Sequence, residues 1–154
     1  MNLKQTSVLL SRIALFVIYF WFGILKVIGI SPASGLVQEL FKETLGPMLK
    51  SLHLSFIAPT VFVVVFGIIE VIIGILFIIP GKEKWAIYTL FIHMVTTMLP
   101  LFFLKASAWQ YIMVPTLEGQ YIIKNIALIA CAFTVWSSLK INLSEKSSTP
   151  LTFS

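Results

Sequence analysis

FIAPTVFVVVFGIIEVIIGILFII, residues 56–79, is a 24-residue apolar run broken by a single carboxylate, Glu70. A helix of ~20 residues crosses the ~30 Å hydrocarbon core of a bilayer, so the run predicts a membrane span. A carboxylate in the middle of a span costs ~3 kcal/mol on insertion scales. Such groups face a bundle interior or a water-filled cavity and have a partner there. The stretch therefore predicts an integral membrane protein with a polar feature built into its centre.

Composition agrees. Of the 154 residues, 58% are hydrophobic and 11% charged, against ~25% charged in soluble domains. One membrane domain, 1–154, suits this length. The net charge of +5 comes from basic residues scattered along the chain, with no Asp at all. Scattered Lys and Arg read as membrane-flanking anchors, and nucleic acid is not an expected partner. A single cysteine, Cys131, excludes an internal disulfide and a dithiol redox centre.

Three more apolar segments have spanning length: about 8–27, 85–104 and 121–139. The N-terminal one is expected to be a retained span, because no small-residue cleavage site follows it. Pro80-Gly81 should stop the second span, and Lys82-Glu83-Lys84 should turn the chain into the third. A polar tail should follow from Lys140. With four spans, both termini share a side with the 82–84 turn. That side holds Lys4, Arg12, Lys82, Lys84, Lys140 and Lys146, against Lys26, Lys42, Lys50, Lys105 and Lys124 on the other. The slight excess places the termini in the cytoplasm.

Segment 32–52 is amphipathic. Leu36, Val37, Leu40, Phe41, Leu45, Met48, Leu49 and Leu52 recur at helical spacing, with Gln38, Glu39, Lys42 and Glu43 opposite. A helix lying on the membrane interface is expected, broken or kinked at Gly46-Pro47. The alternative is a cover over the mouth of the bundle. Between 105 and 119, Trp109 and Tyr111 suit an interfacial aromatic belt. Thr116 can cap the last helix, and Glu118 in its first turn favours the helix dipole.

Each span carries one polar or small face. The first aligns Arg12, Phe16, Tyr19, Gly23 and Lys26; the second Gly67, Glu70 and Gly74. The third aligns Thr89, His93, Thr96 or Thr97, and Pro100, and the fourth Lys124, Ala127, Cys131, Thr134 and Ser138. Turned inward, these stripes make a four-helix transmembrane bundle. Counting ~1.5 Å per residue from one membrane face puts Glu70 at ~20 Å, His93 at ~16 Å and Arg12 at ~24 Å. The expected buried polar core, or ligand-binding set, is thus Arg12, Glu70 and His93, with an Arg12–Glu70 ion pair. Lys26 and Lys124 fall near the surface as a separate basic pair at the mouth. Bland readings stand beside these: a register-fixing ion pair, an interior histidine satisfied by threonines, and lysines snorkelling to headgroups. Cys131 reads as core packing, and Tyr19, Trp21 and Phe22 as lipid- or core-facing bulk. With two histidines, one outside the spans, neither a bis-histidine haem nor a metal cluster is expected.

Several of these pieces coincide with a family pattern. They are Arg12; Tyr19-Phe20-Trp21-Phe22-Gly23-Ile24-Leu25-Lys26; Ser31-Pro32; Glu70 with Gly74; His93-Met94; Leu99-Pro100-Leu101-Phe102. The most specific is Thr116-Leu117-Glu118-Gly119-Gln120-Tyr121-Ile122-Ile123-Lys124-Asn125. From about 8 to 139 the chain resembles the DoxX-like family of small four-span bacterial membrane proteins. The resemblance implies a multi-pass protein of the bacterial inner membrane. Some relatives are linked to quinone-coupled redox complexes, others to oxidative-stress defence. It adds Glu118, Gln120, Tyr121 and Asn125 as motif residues. The expected function is a quinone- or small-lipophile-binding subunit. The chain has no redox cofactor of its own, so a partner protein is expected to supply electrons. A small transporter or channel, which would need homo-oligomers, and a non-catalytic scaffold are the alternatives.

Overall fold

A computed structural model describes the backbone of residues 3–53 and 58–148, with side chains described except at 45 and 140–148. The chain is an all-α bundle in which four helical segments are long and apolar enough to cross a membrane: Leu3–Val27, Pro59–Ile78, Glu83–Phe103 and Leu117–Leu139.

Helix α1 is Leu3–Val27. A short helix α2, Ser34–Leu40, runs through a π-helical turn, Phe41–Leu45, into α3, Gly46–Ser51. The spans α4, Pro59–Ile78, and α5, Glu83–Met98, follow, with α6, Pro100–Phe103, extending the latter. Helix α7, Lys105–Ala108, leads into strands β1, Trp109–Tyr111, and β2, Val114–Pro115, which pair antiparallel. Helix α8, Leu117–Ser148, completes the bundle.

The first span begins earlier than expected, at Leu3, and the third two residues earlier, at Glu83. The second starts at Pro59, which at the first helical position loses no hydrogen bond; the expected start at Phe56 lies outside the described residues. The tail expected from Lys140 continues as helix to Ser148. The small hairpin in 105–119 had no alternation to announce it.

Gly46-Pro47 does not break the amphipathic segment. Pro47 cannot accept the usual helical neighbour, because its ring collides with the carbonyl one turn earlier and it has no N–H to donate. The chain widens into a π-turn just before it, and the helix goes on. The segment also packs on the bundle. Leu40 and Phe41 are buried, and the Phe41 and Phe62 rings approach to 5.2 Å. The Ser107 hydroxyl donates to the Glu39 carboxylate, at 2.8 and 2.9 Å from its two oxygens, which ties α2 to α7. The segment therefore covers one end of the bundle.

The seam between α1 and α4 is built on glycine. A Cβ on Gly67 would stand 2.7 Å from the Gly23 carbonyl oxygen, and one on Gly23 2.7 Å from the Gly67 oxygen. Gly74 meets the Phe20 backbone in the same way, at 2.9 Å from its nitrogen. Without side chains the two backbones touch, which is how membrane helices gain packing when lipid is as apolar as leucine. Leu15, Ile73, Phe77, Ala86, Ile87, Leu90, Ala132 and Val135 fill the end of the bundle near the 79–82 turn.

Arg12 closes that end. Its Nε donates to the Phe77 carbonyl at 2.7 Å and its Nη2 to the Ile78 carbonyl at 3.2 Å. Its Nη1 lies 2.8 Å from Glu83 Oε1. The last carbonyls of α4 have no partners within the helix, and the Arg12 guanidinium satisfies two of them. Glu83 sits in the first turn of α5, where its charge suits the helix dipole. One side chain thus ties α1, the end of α4 and the start of α5. Arg12→Met should lower stability in detergent by about 1–3 kcal/mol, because both carbonyls and Glu83 lose their donor. A thermal melt at matched detergent concentration measures this, and an unchanged melt would remove the clamp from the account.

Candidate functional site

Glu70 is held by Lys26. The Lys26 Nζ donates to Glu70 Oε2 at 2.6 Å, with both residues buried (Lys26 5% and Glu70 6% exposed). The expected Arg12–Glu70 pair does not form. Arg12 is held at Phe77 and Ile78, seven and eight residues further along α4, roughly 10 Å away along its axis. The glycine seam explains the exchange. It sets Gly23 against Gly67, so the Lys26 Cβ emerges beside Gly67, one turn from Glu70. The flexible four-carbon stem of Lys26 spans the remainder. Counting depth from helix ends omitted both the true start of α4 and the length of that stem.

Lys26 and Lys124 therefore do not form a pair at the mouth. Lys124 is exposed on the outside of α8, its Nζ 5.2 Å from the Tyr121 ring centroid, a cation–π contact. The inward face of α8 is turned in part from the expected one. Among its described side chains the buried residues are Gly119, Ile122, Ala132 and Val135, and Cys131 packs against the core as expected, while Lys124 and Ala127 are exposed. This helix is apolar nearly all round, and small residues occur on several sides, so smallness alone did not mark the buried face.

His93, 5% exposed, faces the same carboxylate from α5. Its Nε2 lies 3.3 Å from Glu70 Oε1, within ion-pair range but not aligned as a hydrogen bond. Neither Nε2 nor Nδ1 has a hydrogen-bond partner among the described residues. The flanking threonines do not serve it: Thr89 donates to the carbonyls of Trp85 and Ala86, and Thr97 to that of Met94. The imidazole is instead fixed by rings. Phe66 lies 4.5 Å from it, and Tyr19 meets it edge-on at 5.5 Å. Leaving a buried polar atom unpaired costs about 1–3 kcal/mol, so two on one side chain call for a reason.

The reason is space. A cavity of about 370 Å³ ends on Tyr19, Lys26, Glu70 and His93. Its walls are mainly apolar, from Phe62 and Phe66 on α4 and Leu128 and Ile122 on α8. Leu36, Val37 and Leu40 of α2 roof it. Among the motif residues of the last helix, Glu118, Tyr121 and Asn125 line the cavity, whereas Gln120 is exposed and does not. Thr116 caps α8 as expected, accepting the Gly119 N–H at 3.1 Å and donating to the Ser107 carbonyl at 2.6 Å. Glu118 thus has a place in the first turn of α8 and at the cavity rim.

An apolar chamber with one charged, partly unsatisfied end suits a ligand that is mostly hydrocarbon with a small polar head. Lys26 and Glu70 cancel in charge, so a neutral head can approach without leaving a bare ion. Among the described residues no group of three or more His, Cys, Asp or Glu is disposed to hold a metal. Tyr19 is buried, as its place on the inward stripe implied, but its position beside His93 was not foreseen, and Lys26 was given the wrong neighbour. The glycines at 23 and 67 held the signal for both, because they fix which turns of α1 and α4 face each other. Comparison of the chain with family models, with curated proteins and with solved structures finds no match.

Proposed function

We propose that the protein is a multi-pass membrane subunit that binds a quinone or similar lipophile among α1, α4, α5 and α8. The observation that carries this reading is His93, buried with neither ring nitrogen hydrogen-bonded among the described residues, at the end of an apolar cavity. An imidazole N–H can donate to a quinone carbonyl, and Lys26 retains ammonium hydrogens beyond the one that meets Glu70. Tyr19 and Phe66 offer ring faces to a flat head. Electrons would come from a partner protein, because the chain carries one cysteine and two histidines and so no redox pair of its own. The resemblance to DoxX-like proteins points the same way, with a place in the bacterial inner membrane, and the slight Lys and Arg excess puts the termini in the cytoplasm.

The test is purification in mild detergent, extraction of bound lipid, and titration with decyl-benzoquinone. Co-purified quinone or saturable 1:1 uptake is expected, weakened about tenfold or more in His93→Phe, which removes one or two polar contacts. Absence of extracted quinone, together with no uptake by the unaltered protein, would refute the reading.

A further inference from the structure

The cavity is covered by α2 at one end and bordered at one side by exposed residues of the bundle. At the end, α2 forms the roof, with Leu40 and Phe41 buried and Glu39 tied to Ser107. At the side, the cavity wall includes residues that are also exposed on the flank of the bundle: Phe22 (46% exposed) on α1 and Leu117 (61%) and Tyr121 (60%) on α8. Both helices are of spanning length and apolarity, so this flank borders the bilayer, with Leu117 at the end of its span and Phe22 and Tyr121 about a turn inside theirs. Helices α1 and α8 come together toward the opposite end of the bundle, where Leu15 shares the core with Ala132 and Val135. Nearer the roof they part around the cavity.

The polar end of the cavity is rich in donors. The spare ammonium hydrogens of Lys26 have no acceptor among the described residues, and the two ring nitrogens of His93, one donor and one acceptor in the neutral imidazole, have no hydrogen bond there, with Nε2 3.3 Å from Glu70 Oε1. Glu70, the one acceptor of full charge at that end, already has Lys26 at 2.6 Å. Lys26 and His93 together offer more unmet donor hydrogens than unmet lone pairs, which favours a head that brings acceptors, such as a carbonyl or an uncharged carboxyl, over one that brings only donors. Size completes the picture. At about 370 Å³ the cavity is near the small end of ligand sites, which run roughly 300–1,000 Å³. It holds a head and the first part of a tail, and a long tail has to leave it.

Resting on the ligand-binding reading above, we propose that the site takes a single-tailed, acceptor-headed amphiphile directly from the bilayer. The head reaches Lys26 and His93, and the tail leaves between α1 and α8 past Phe22 and Tyr121. Roof segment 34–51 then serves as a wall, and the route from the aqueous face is not used.

Photo-cross-linking in lipid vesicles tests this on the full chain. Two probes carry a diazirine at the far end of the tail: dodecanoic acid and decyl-benzoquinone. A dodecylamine with the same diazirine is the donor-headed control. Expected adducts fall on residues 18–27 and 117–128, and decline on competition with the unlabelled acid or quinone. Labelling by either acceptor-headed probe supports the proposal and says which head is preferred. His93→Phe should reduce labelling at least several-fold; competition on the unaltered protein supplies the same answer if that variant fails to fold. Competable adducts confined to residues 28–40 would overturn the lateral route while leaving lipophile binding intact. Equal, competable labelling by the amine would overturn the acceptor-head assignment. Failure of the quinone titration and of all competable labelling would remove the ligand-binding reading itself.

Discussion

Lys26→Met is expected to cost the folded bundle about 3–5 kcal/mol, because it leaves the Glu70 carboxylate buried without its counter-ion. Both residues are buried and close at 2.6 Å, so the carboxylate loses its nearest counter-charge and keeps only His93 Nε2 at 3.3 Å and the adjoining cavity beside it. Replacing both partners, as in Lys26→Met with Glu70→Leu, should recover most of the loss, since two well-packed apolar side chains remove the ionic problem altogether. A double-mutant cycle in detergent, read by chemical unfolding, therefore predicts strong coupling between positions 26 and 70. The same cycle between 12 and 70 should show little coupling, because Arg12 spends its donors on Phe77, Ile78 and Glu83. Coupling of 70 to 12 rather than to 26 would restore the pairing expected from depth alone.

Gly67→Val is the second large effect. Its Cβ would lie 2.7 Å from the Gly23 carbonyl oxygen, and 2.7 Å from the Cβ of Lys26, so α1 and α4 must separate. Even Gly67→Ala should destabilise by about 1–3 kcal/mol, the usual cost of overpacking, and valine by more. The separation also draws Lys26 away from Glu70, so ligand uptake should fall in variants that still fold. Gly35→Ala is the control: nothing lies within 4 Å of its added Cβ, and α2 gains a better helix former there. Thermal melts should lower Tm for position 67 and leave or raise it for position 35. Equal behaviour at the two positions would mean that the α1–α4 seam is not set by glycine.

The membrane architecture was legible because it depends on long apolar runs, and Leu3–Val27, Pro59–Ile78, Glu83–Phe103 and Leu117–Leu139 all supply one. The face of α4 was legible too, since Gly67, Glu70 and Gly74 are all buried as their spacing implied. The partner of Glu70 was not, because pairing depends on where two helices cross and on how far a lysine reaches. Depth counted along single helices contains neither quantity. The face of α8 was hidden for a different reason: apolar and small residues occur on several of its sides, so little contrast shows which one is inward. The roof was half legible. The apolar stripe of 34–51 announced an amphipathic helix, but only the tertiary contacts of Leu40, Phe41 and Glu39 bring it over the cavity. The unpartnered state of His93 could not be foreseen, because Thr89 and Thr97 looked like partners and instead bond their own helix.

The central claim is that His93 and Lys26 await a polar head in an otherwise apolar cavity. The most direct measurement is the nitrogen NMR spectrum of protein labelled with 15N-histidine, in which His93 is assigned by its loss in His93→Phe. Titration with decyl-benzoquinone is predicted to shift a ring-nitrogen resonance of His93 saturably, while that of His53 stays in place and decylamine has no such effect. An unmoved His93 resonance at quinone concentrations that saturate the detergent phase would contradict the account.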